Sequence, residues 1–254
     1  MKYVQIVFSP TGGTLKTAKA VAEEWDRSAE IIDLTDPNKD FSEYRFDKDD
    51  FVLISMPSYG GRVPATAAER LSKIKGNGAK CTLLCVYGNR AYEDTLVEME
   101  DTAKKCGFDV RAAIAAVAEH SIMRQYAAGR PNDADIKKLK EFSKIALEKM
   151  QKDTVDGGLK LVGNRPYKKS SGGGLTPKAD KNCVKCGTCA KKCPVGAISS
   201  ENIETADPKK CILCMRCVKE CPHAARNVSK VMVSAASLAL KKACSQRKEC
   251  ELFV

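Results

Sequence analysis

The sequence predicts an α/β fold in which a doubly wound parallel sheet is followed by a small, cysteine-rich α+β domain. Over the first 150 residues, apolar runs of strand length alternate with stretches of helical periodicity, as in a parallel sheet covered by helices. Residues 183–222 instead hold eight of the 13 cysteines, in two matching runs. Loops after the first, third and fourth predicted strands carry glycines, hydroxyls or aromatic residues. Such loops meet at the carboxyl edge of the sheet, where ligands bind.

The first domain contains five predicted strands, at residues 2–8, 30–34, 51–55, 80–86 and 110–118. Helical spacing after the first strand is set by Leu15, Ala18, Val21, Ala22 and Trp25. Further helices are predicted over residues 65–74, through Leu96, Met99 and Ala103, and over residues 134–151. Strand and helix therefore alternate up to the end of this domain.

The loop after the first strand reads Ser9-Pro10-Thr11-Gly12-Gly13-Thr14. A strand, a loop rich in hydroxyls and glycine, and then a helix form a typical phosphate site, because backbone N–H groups at the helix N-terminus face the anion. An ordinary strand-to-helix turn with a threonine cap has the same composition. The loop alone leaves both interpretations open.

The two cysteine runs predict two four-iron clusters. Cys183-x-x-Cys186-x-x-Cys189-x-x-x-Cys193-Pro194 has its spacing repeated from Cys211 to Cys221-Pro222. Three thiolates of a cubane come from one short loop, and in proteins with two clusters the fourth comes from the other run. The expected first cysteine set is Cys183, Cys186, Cys189 and Cys221, and the expected second cysteine set is Cys211, Cys214, Cys217 and Cys193. Zinc and disulfides are the alternatives, but zinc ribbons use paired C-x-x-C units without a distal C-P.

The remaining cysteines are expected to be free thiols, since five is an odd number. Cys81 and Cys85 lie on the fourth predicted strand and are expected in the core, whereas Cys244 and Cys250 are expected at the surface. The sequence shows no signal peptide and no apolar run of membrane-spanning length, which predicts a cytoplasmic protein.

Charge is distributed unevenly between the two halves. Residues 1–150 hold 23 basic and 23 acidic side chains, whereas residues 151–254 hold 20 and 9, so the whole net charge of +11 lies in the second half. Two oxidised clusters with their thiolates would lower that figure to about +7. The remaining excess is solvated charge or a docking surface for an acidic redox protein such as a ferredoxin or flavodoxin. Nucleic acid is not expected, because no aromatic platform or helix-turn-helix accompanies the charge.

Residues 1–150 resemble the flavodoxin-like family. Its phosphate loop is matched by Ser9, Thr11, Gly12, Gly13 and Thr14. Two segments look like its isoalloxazine loops: Pro57-Ser58-Tyr59-Gly60-Gly61 with Pro64, and Tyr87-Gly88-Asn89-Arg90 with Tyr92. The resemblance implies a five-stranded sheet of order 2-1-3-4-5 with FMN at the switch point, stacked on either Tyr59 or Tyr92.

The whole chain is similar to the EFR-type fusions, which join a flavodoxin-like domain to a bacterial ferredoxin domain with two 4Fe-4S clusters. The predicted division is a flavin domain over residues 1–151, a Gly- and Lys-rich linker over 152–180, a ferredoxin domain over 181–227, and a C-terminal helix and tail over 228–254. Residues 119–133 are expected on the same edge as the flavin loops, where they could cover the flavin.

Three functions fit this organisation. The first is a redox carrier in which FMN collects or releases the single electrons carried by the clusters. The second is an FMN-dependent reductase of a quinone, flavin, nitro compound or oxygen, with His120, Arg90 and Tyr92 nearest the substrate. The third is a redox sensor. Direct NAD(P)H binding is not expected, because no G-x-G-x-x-G follows a strand. The sequence leaves homodimerisation open.

Overall fold

The computed structural model describes residues 1–152, 158–169 and 174–254. Its main sheet has the strand order β2-β1-β3-β4-β5-β8, and the first five strands are parallel. The strands of this sheet are β1 (Tyr3–Val7), β2 (Glu30–Asp33), β3 (Phe51–Pro57), β4 (Lys80–Tyr87), β5 (Asp109–Val117) and β8 (Glu251–Phe253). The predicted flavodoxin-like order 2-1-3-4-5 is confirmed for the parallel part.

Four helices accompany the parallel strands: α1 (Gly13–Ala22), α2 (Ala65–Leu71), α3 (Thr95–Lys105) and α4 (Asp133–Gln151). Apolar side chains of the central strands are buried on both faces, as expected for a parallel sheet covered by helices. One core cluster includes Leu71 of α2 and Leu96 of α3, and the other includes Val21 of α1 and Leu139 of α4. Cys81 and Cys85 of β4 lie in the core, as predicted.

The cluster domain is small and has little regular structure. Its elements are β6 (Lys178–Ala179), the one-turn helices α5 (Thr188–Lys191) and α6 (Arg216–Lys219), and β7 (Arg226–Asn227). Strands β6 and β7 pair antiparallel, so the pairing begins at Lys178, within the segment predicted as linker. A small core of Cys189, Ile198, Ala206 and Cys217 joins the two cysteine runs.

The described part of the predicted linker lies along the first domain. Leu159 and Leu161 pack against its core, and the backbone N–H groups of Asn164 and Lys168 donate hydrogen bonds to the Asp94 carboxylate. Arg165 forms ion pairs with Glu100 and Asp101 of α3. The glycines and serines at 157 and 170–173 that suggested flexibility lie outside the described residues.

The C-terminal segment returns to the first domain and adds a strand to its sheet, and this strand was not predicted from the sequence. Helix α7 (Lys230–Cys244) is followed by β8, which pairs antiparallel with β5 as a sixth strand. The surface positions expected for Cys244 and Cys250 are wrong, because both side chains are buried. Cys250 packs in the core beside β5, and Cys244 lies at the end of α7 where the chain turns back. Among the described residues, no helix has both the length and the apolar character that a membrane span requires.

The side chain of Asn89 anchors this return. Its amide donates to the carbonyls of Cys244 and Gln246, at 2.8 and 2.9 Å, and its oxygen accepts from the backbone N–H of Lys248 at 3.0 Å. Asn89 is buried and has a left-handed backbone, φ 64°. The residue therefore satisfies three polar backbone groups that would otherwise be unpaired.

We predict that Asn89→Ala lowers the free energy of unfolding by about 1–3 kcal/mol, because it leaves buried backbone groups unsatisfied. Chemical unfolding measures that change, and limited trypsin digestion should cut sooner at Arg247 and Lys248. Asn38→Ala, at an exposed turn, is the matched control. Equal unfolding midpoints and equal cleavage in both variants would contradict this role of Asn89.

Candidate functional site

A cavity of about 480 Å³ lies at the carboxyl edge of the parallel sheet, where β1, β3 and β4 end. Its volume falls within the usual range for small-molecule and cofactor sites. Of the predicted cofactor-binding residues, those that line it are Thr11, Gly13, Thr14, Pro57, Ser58, Tyr59, Gly60, Tyr87, Gly88 and Arg90. Loops that are remote in sequence therefore meet around one space.

The phosphate-type loop lies at one end of this cavity. Helix α1 begins at Gly13, preceded by Gly12 with φ 92°, and its first turn has no acidic side chain. The Ser9 hydroxyl accepts the N–H of Leu15 at 2.9 Å and so holds the loop against the helix. A Cβ on Gly13 would meet only the Cβ of Ala118, at 3.9 Å, so the N-terminus of α1 is sterically open. Free N–H groups and a positive helix end suit a phosphate monoester.

The two predicted ring loops form the next part of the wall. Tyr59 lines the cavity, and burial raises the pKa of its hydroxyl well above the ordinary value, with a smaller effect of nearby Cys214. Gly61 is placed differently: a Cβ there would come within 1.8 Å of Glu93 Oε2. Because Gly61 has no side chain, the loop backbone can pass close to the Glu93 carboxylate, which forms ion pairs with Arg90 and Lys168.

Tyr92 and Asn89 do not line the cavity. The Tyr92 hydroxyl donates to Glu251 of β8 at 3.1 Å, and its ring packs edge-on against Tyr87 with 5.2 Å between centroids. Of the two tyrosines left open for stacking, Tyr59 is the one at the cavity. Sequence proximity to Gly88 suggested a cofactor role for Tyr92 and Asn89, but both contact the C-terminal segment.

Residues 119–123 of the predicted covering segment also line the cavity. His120 lies against Gly88, where a Cβ would come within 2.8 Å of its ring. The Nδ1 atom of His120 accepts the N–H groups of Ile122 and Met123, at 3.2 and 3.1 Å. Burial and, to a smaller extent, the Arg90 charge lower the pKa of His120. The imidazole is therefore neutral at pH 7, with its proton on Nε2.

The eight predicted cluster ligands form two groups of four. One small cavity is lined by the first cysteine set, Cys183, Cys186, Cys189 and Cys221, and another by the second cysteine set, Cys193, Cys211, Cys214 and Cys217. In each group, three cysteines come from one run and the fourth from the other. Among the described residues, no three His, Cys, Asp or Glu side chains are close enough to hold a single metal ion. A cubane needs a wider arrangement than zinc does, because each thiolate binds a different iron.

The second cysteine set lies beside the large cavity. Cys211, Ile212 and Leu213 contribute to its wall, and Ile212 also packs against the core of the first domain. Leu240 of α7 adds another wall residue. These contacts could not be predicted from the sequence. Ile212 and Leu213 stand between two ligating cysteines, and nothing in that short spacing indicates which part of the fold they contact. The first cysteine set lies nearer the surface, where Cys186 is exposed.

Arg62 and Glu98 are further cavity residues that sequence analysis missed. Glu98 accepts two hydrogen bonds from the Arg62 guanidinium, at 2.7 and 2.8 Å, and one from the Val63 N–H at 2.9 Å. The carboxylate raises the pKa of Arg62, so the ion pair stays formed at neutral pH. Because Glu98 belongs to α3, the pair fixes the loop after β3 to a neighbouring helix.

Comparison with protein families assigns the second domain. Residues 182–226 match the model described as a 4Fe-4S dicluster domain. No curated protein sequence matches the chain. The chain therefore joins a flavodoxin-like α/β domain, defined by its strand order, to a 4Fe-4S dicluster domain.

Solved structures similar to the first domain include three bacterial flavodoxins. That of Streptococcus pneumoniae TIGR4 is 18% identical, with a TM-score of 0.40, over 58% of this chain and 97% of that one. Flavodoxin 1 of Bacillus cereus is 16% identical, with a TM-score of 0.40, over 58% and 98%. The Fusobacterium nucleatum flavodoxin bound to flavin mononucleotide is 14% identical, also at 0.40, over 58% and 98%. These values are too low to bear on function.

We predict that Cys193→Ser weakens the cluster held by Cys211, Cys214 and Cys217, although Cys193 belongs to the first run. A serine oxygen is a poorer iron ligand than a thiolate, so that cluster should be lost first on exposure to air. Iron content and the electron paramagnetic resonance of the reduced protein distinguish the two clusters. Cys250→Ser, buried in the first domain, is the control. Loss of only the cluster held by Cys183, Cys186 and Cys189 would contradict the exchange of ligands between runs.

Proposed function

We propose that the protein is an iron–sulfur flavoprotein that transfers electrons between two 4Fe-4S clusters and an FMN held in the large cavity. The observation that carries the proposal is the shared wall: Cys211, Ile212 and Leu213 line the same cavity as the phosphate-type loop and Tyr59. FMN exchanges one or two electrons, whereas each cluster passes one at a time. FMN and the clusters together can therefore convert one-electron transfer into two-electron transfer and the reverse. Because the second cluster site and the FMN cavity share a wall, no separate diffusing electron carrier is needed between them.

The cavity residues suit the parts of FMN. Thr11, Gly13 and Thr14 would hold the phosphate at the N-terminus of α1, in a loop that Ser9 and Gly12 shape. The isoalloxazine ring would lie between the loop at Pro57–Gly60, with Tyr59 as the stacking partner, and the wall residues Tyr87, Gly88 and Arg90. His120 would cover the ring edge and present Nε2–H, since its Nδ1 is already an acceptor. Each of these roles follows from a residue's place on the wall.

The positions of the cysteine sets support an order of electron transfer. The first set is near the surface and has exposed lysines at 185 and 191 close by in sequence. The second set contributes Cys211 to the wall of the large cavity, whereas no cysteine of the first set lines it. We infer that electrons enter or leave through the first cluster and reach FMN through the second.

A reductase of a small acceptor is the second candidate, because two of its three proposed residues, His120 and Arg90, line the cavity. Such an acceptor would need room beside the flavin ring. Saturation kinetics with one quinone, nitro compound or free flavin would favour the reductase. Fast exchange only with other redox proteins would favour the carrier.

Cofactor content tests the proposal directly. Full-length protein purified without air should contain one FMN and eight irons per chain. Gly13→Glu should lower FMN affinity about tenfold or more while all eight irons remain, because a carboxylate at the N-terminus of α1 repels the phosphate. Flavin fluorescence titration and iron analysis measure both properties.

Gly13→Gln is the matched control, since it has the same size without the charge and should bind FMN better than Gly13→Glu. FAD in place of FMN, four irons or fewer under strict exclusion of air, or unchanged FMN affinity in Gly13→Glu would each refute the proposal. Loss of both cofactors in both variants would indicate misfolding. The Gly13→Ala variant would then replace both larger substitutions, because its Cβ would lie 3.9 Å from the Cβ of Ala118, an ordinary contact distance.

The proposed partner is an acidic redox protein that docks on the lysine-rich surface of the cluster domain. Exposed lysines near the cysteine runs include Lys185, Lys191, Lys192, Lys209 and Lys210. Complementary fields raise encounter rates by about 10–10³, and salt screens them. Electron exchange with an acidic ferredoxin or flavodoxin should therefore slow as ionic strength rises.

Reversal of charge at Lys191 and Lys192 should slow this exchange at low salt and flatten its salt dependence, because it removes the attraction that salt screens. Stopped-flow mixing at several ionic strengths measures the rates. The same reversal at Lys137 and Lys138, exposed on α4 of the neutral domain, is the control. Rates that do not change with salt, and a double variant that behaves like the parent protein, would rule out electrostatic docking.

A further inference from the structure

The two cysteine runs differ at one buried position. After its last cysteine each run continues through proline and two further residues to alanine, and then to Ile198 in the first run and Arg226 in the second. The local geometry is the same: the N–H groups of Ala197 and Ala225 each donate to the sulfur of the preceding ligand cysteine, at 3.3 Å. Arg226 is therefore the structural equivalent of an apolar core residue.

Arg226 is buried as deeply as a core side chain, with 2% of its surface exposed. One terminal nitrogen donates to the carbonyl of Ile203 at 2.5 Å, and the other to that of Pro177 at 3.3 Å. These carbonyls are neutral, and the Nε atom has no hydrogen-bond partner. Among the described residues, no carboxylate forms an ion pair with this guanidinium. A buried cation without an anion is strongly unfavourable.

The negative charge that would balance Arg226 is that of the proposed clusters. Arg226 lines the cavity of the first cysteine set, and its Nη1 lies 3.8 Å from the sulfur of Cys189. It is also close to the second set, because its guanidinium lies near the sulfur of Cys217. An oxidised 4Fe-4S cluster with four thiolates carries two negative charges, and one-electron reduction adds a third.

We propose, on the basis of the proposed cluster binding, that Arg226 sets the reduction potentials of both clusters. Its guanidinium stabilises the reduced state, with one more negative charge, more than the oxidised state, so it raises both potentials. The first cluster is affected more, because Arg226 donates directly toward its Cys189 ligand. Arg226 is a positioning residue: it accepts no electron, and an external one-electron donor supplies the electron in each reduction.

Substitutions at 226 separate charge from hydrogen bonding. Arg226→Ile copies the residue that the first run has at this position and should make both potentials more negative. We expect at least a tenfold change in the equilibrium constant for reducing the first cluster, which is about 59 mV for one electron. Arg226→Gln keeps a donor without the charge and should fall between Ile and the parent protein. Arg226→Lys keeps the charge and should stay nearest the parent.

The potentials are measured on the full-length, cluster-loaded protein by a redox titration with mediators, followed by electron paramagnetic resonance. Lys209→Gln, at an exposed lysine two residues before the second run, is the control. Its shift should disappear at high salt, whereas the Arg226→Ile shift should remain, because a buried charge is not screened. Iron analysis accompanies every titration.

Eight irons with unchanged potentials in Arg226→Ile would overturn the proposal. So would equal shifts in Arg226→Lys and Arg226→Ile, which would show that packing, and not charge, determines the potential. If the Ile variant fails to load clusters, the comparison of Gln with Lys decides in the same way. Absence of clusters from the parent protein would instead refute the proposed function.

Discussion

Docking of the cluster domain against the carboxyl edge of the parallel sheet is the constraint on which the arrangement of both sites depends. The Arg70 guanidinium donates to the carbonyls of Leu34 and Pro194, at 2.6 Å each, and so joins the sheet edge to the proline after a cluster ligand. Arg216, next to another ligand, donates to the Thr35 hydroxyl at 2.6 Å. Ile212 adds an apolar contact with the first core. These contacts fix the second cysteine set next to the cavity, where the proposed electron transfer needs it.

Two segments that connect or follow the domains support the same arrangement. Residues 158–169 lie along α3, where the Asp94 carboxylate accepts N–H groups from Asn164 and Lys168. Helix α7 then brings Leu240 to the cavity wall, and the Tyr126 hydroxyl donates to the Ser237 carbonyl at 2.7 Å. The chain thus crosses between its domains more than once. Relative motion of the domains would break several partly buried hydrogen bonds together.

Local patterns were sufficient to predict the parallel sheet and the grouping of the cysteines, because strand periodicity and ligand spacing are properties of short segments. The strand order 2-1-3-4-5 came instead from the resemblance to the flavodoxin-like family. Long-range contacts were not predictable in this way. Asn89 and Tyr92 stand next to Gly88 in sequence, yet both bond to the C-terminal segment. Cys250 is buried because a strand of only three residues pairs with β5, and so short a strand has no recognisable pattern. The charge of Arg226 is visible in the sequence, but its burial is a result of tertiary structure.

The positive charge of the second half acts in two physically different environments. Exposed lysines interact through water and salt, so their field reaches about one Debye length and, in the proposed docking, changes the rate at which partners meet. Arg226 interacts through the protein interior, where screening is weak, so its charge acts on the equilibrium between oxidation states. Neutralising the surface would slow encounters without changing the driving force for electron transfer. Neutralising Arg226 would change the driving force at an unchanged encounter rate, so one net charge contains two separable contributions to electron flow.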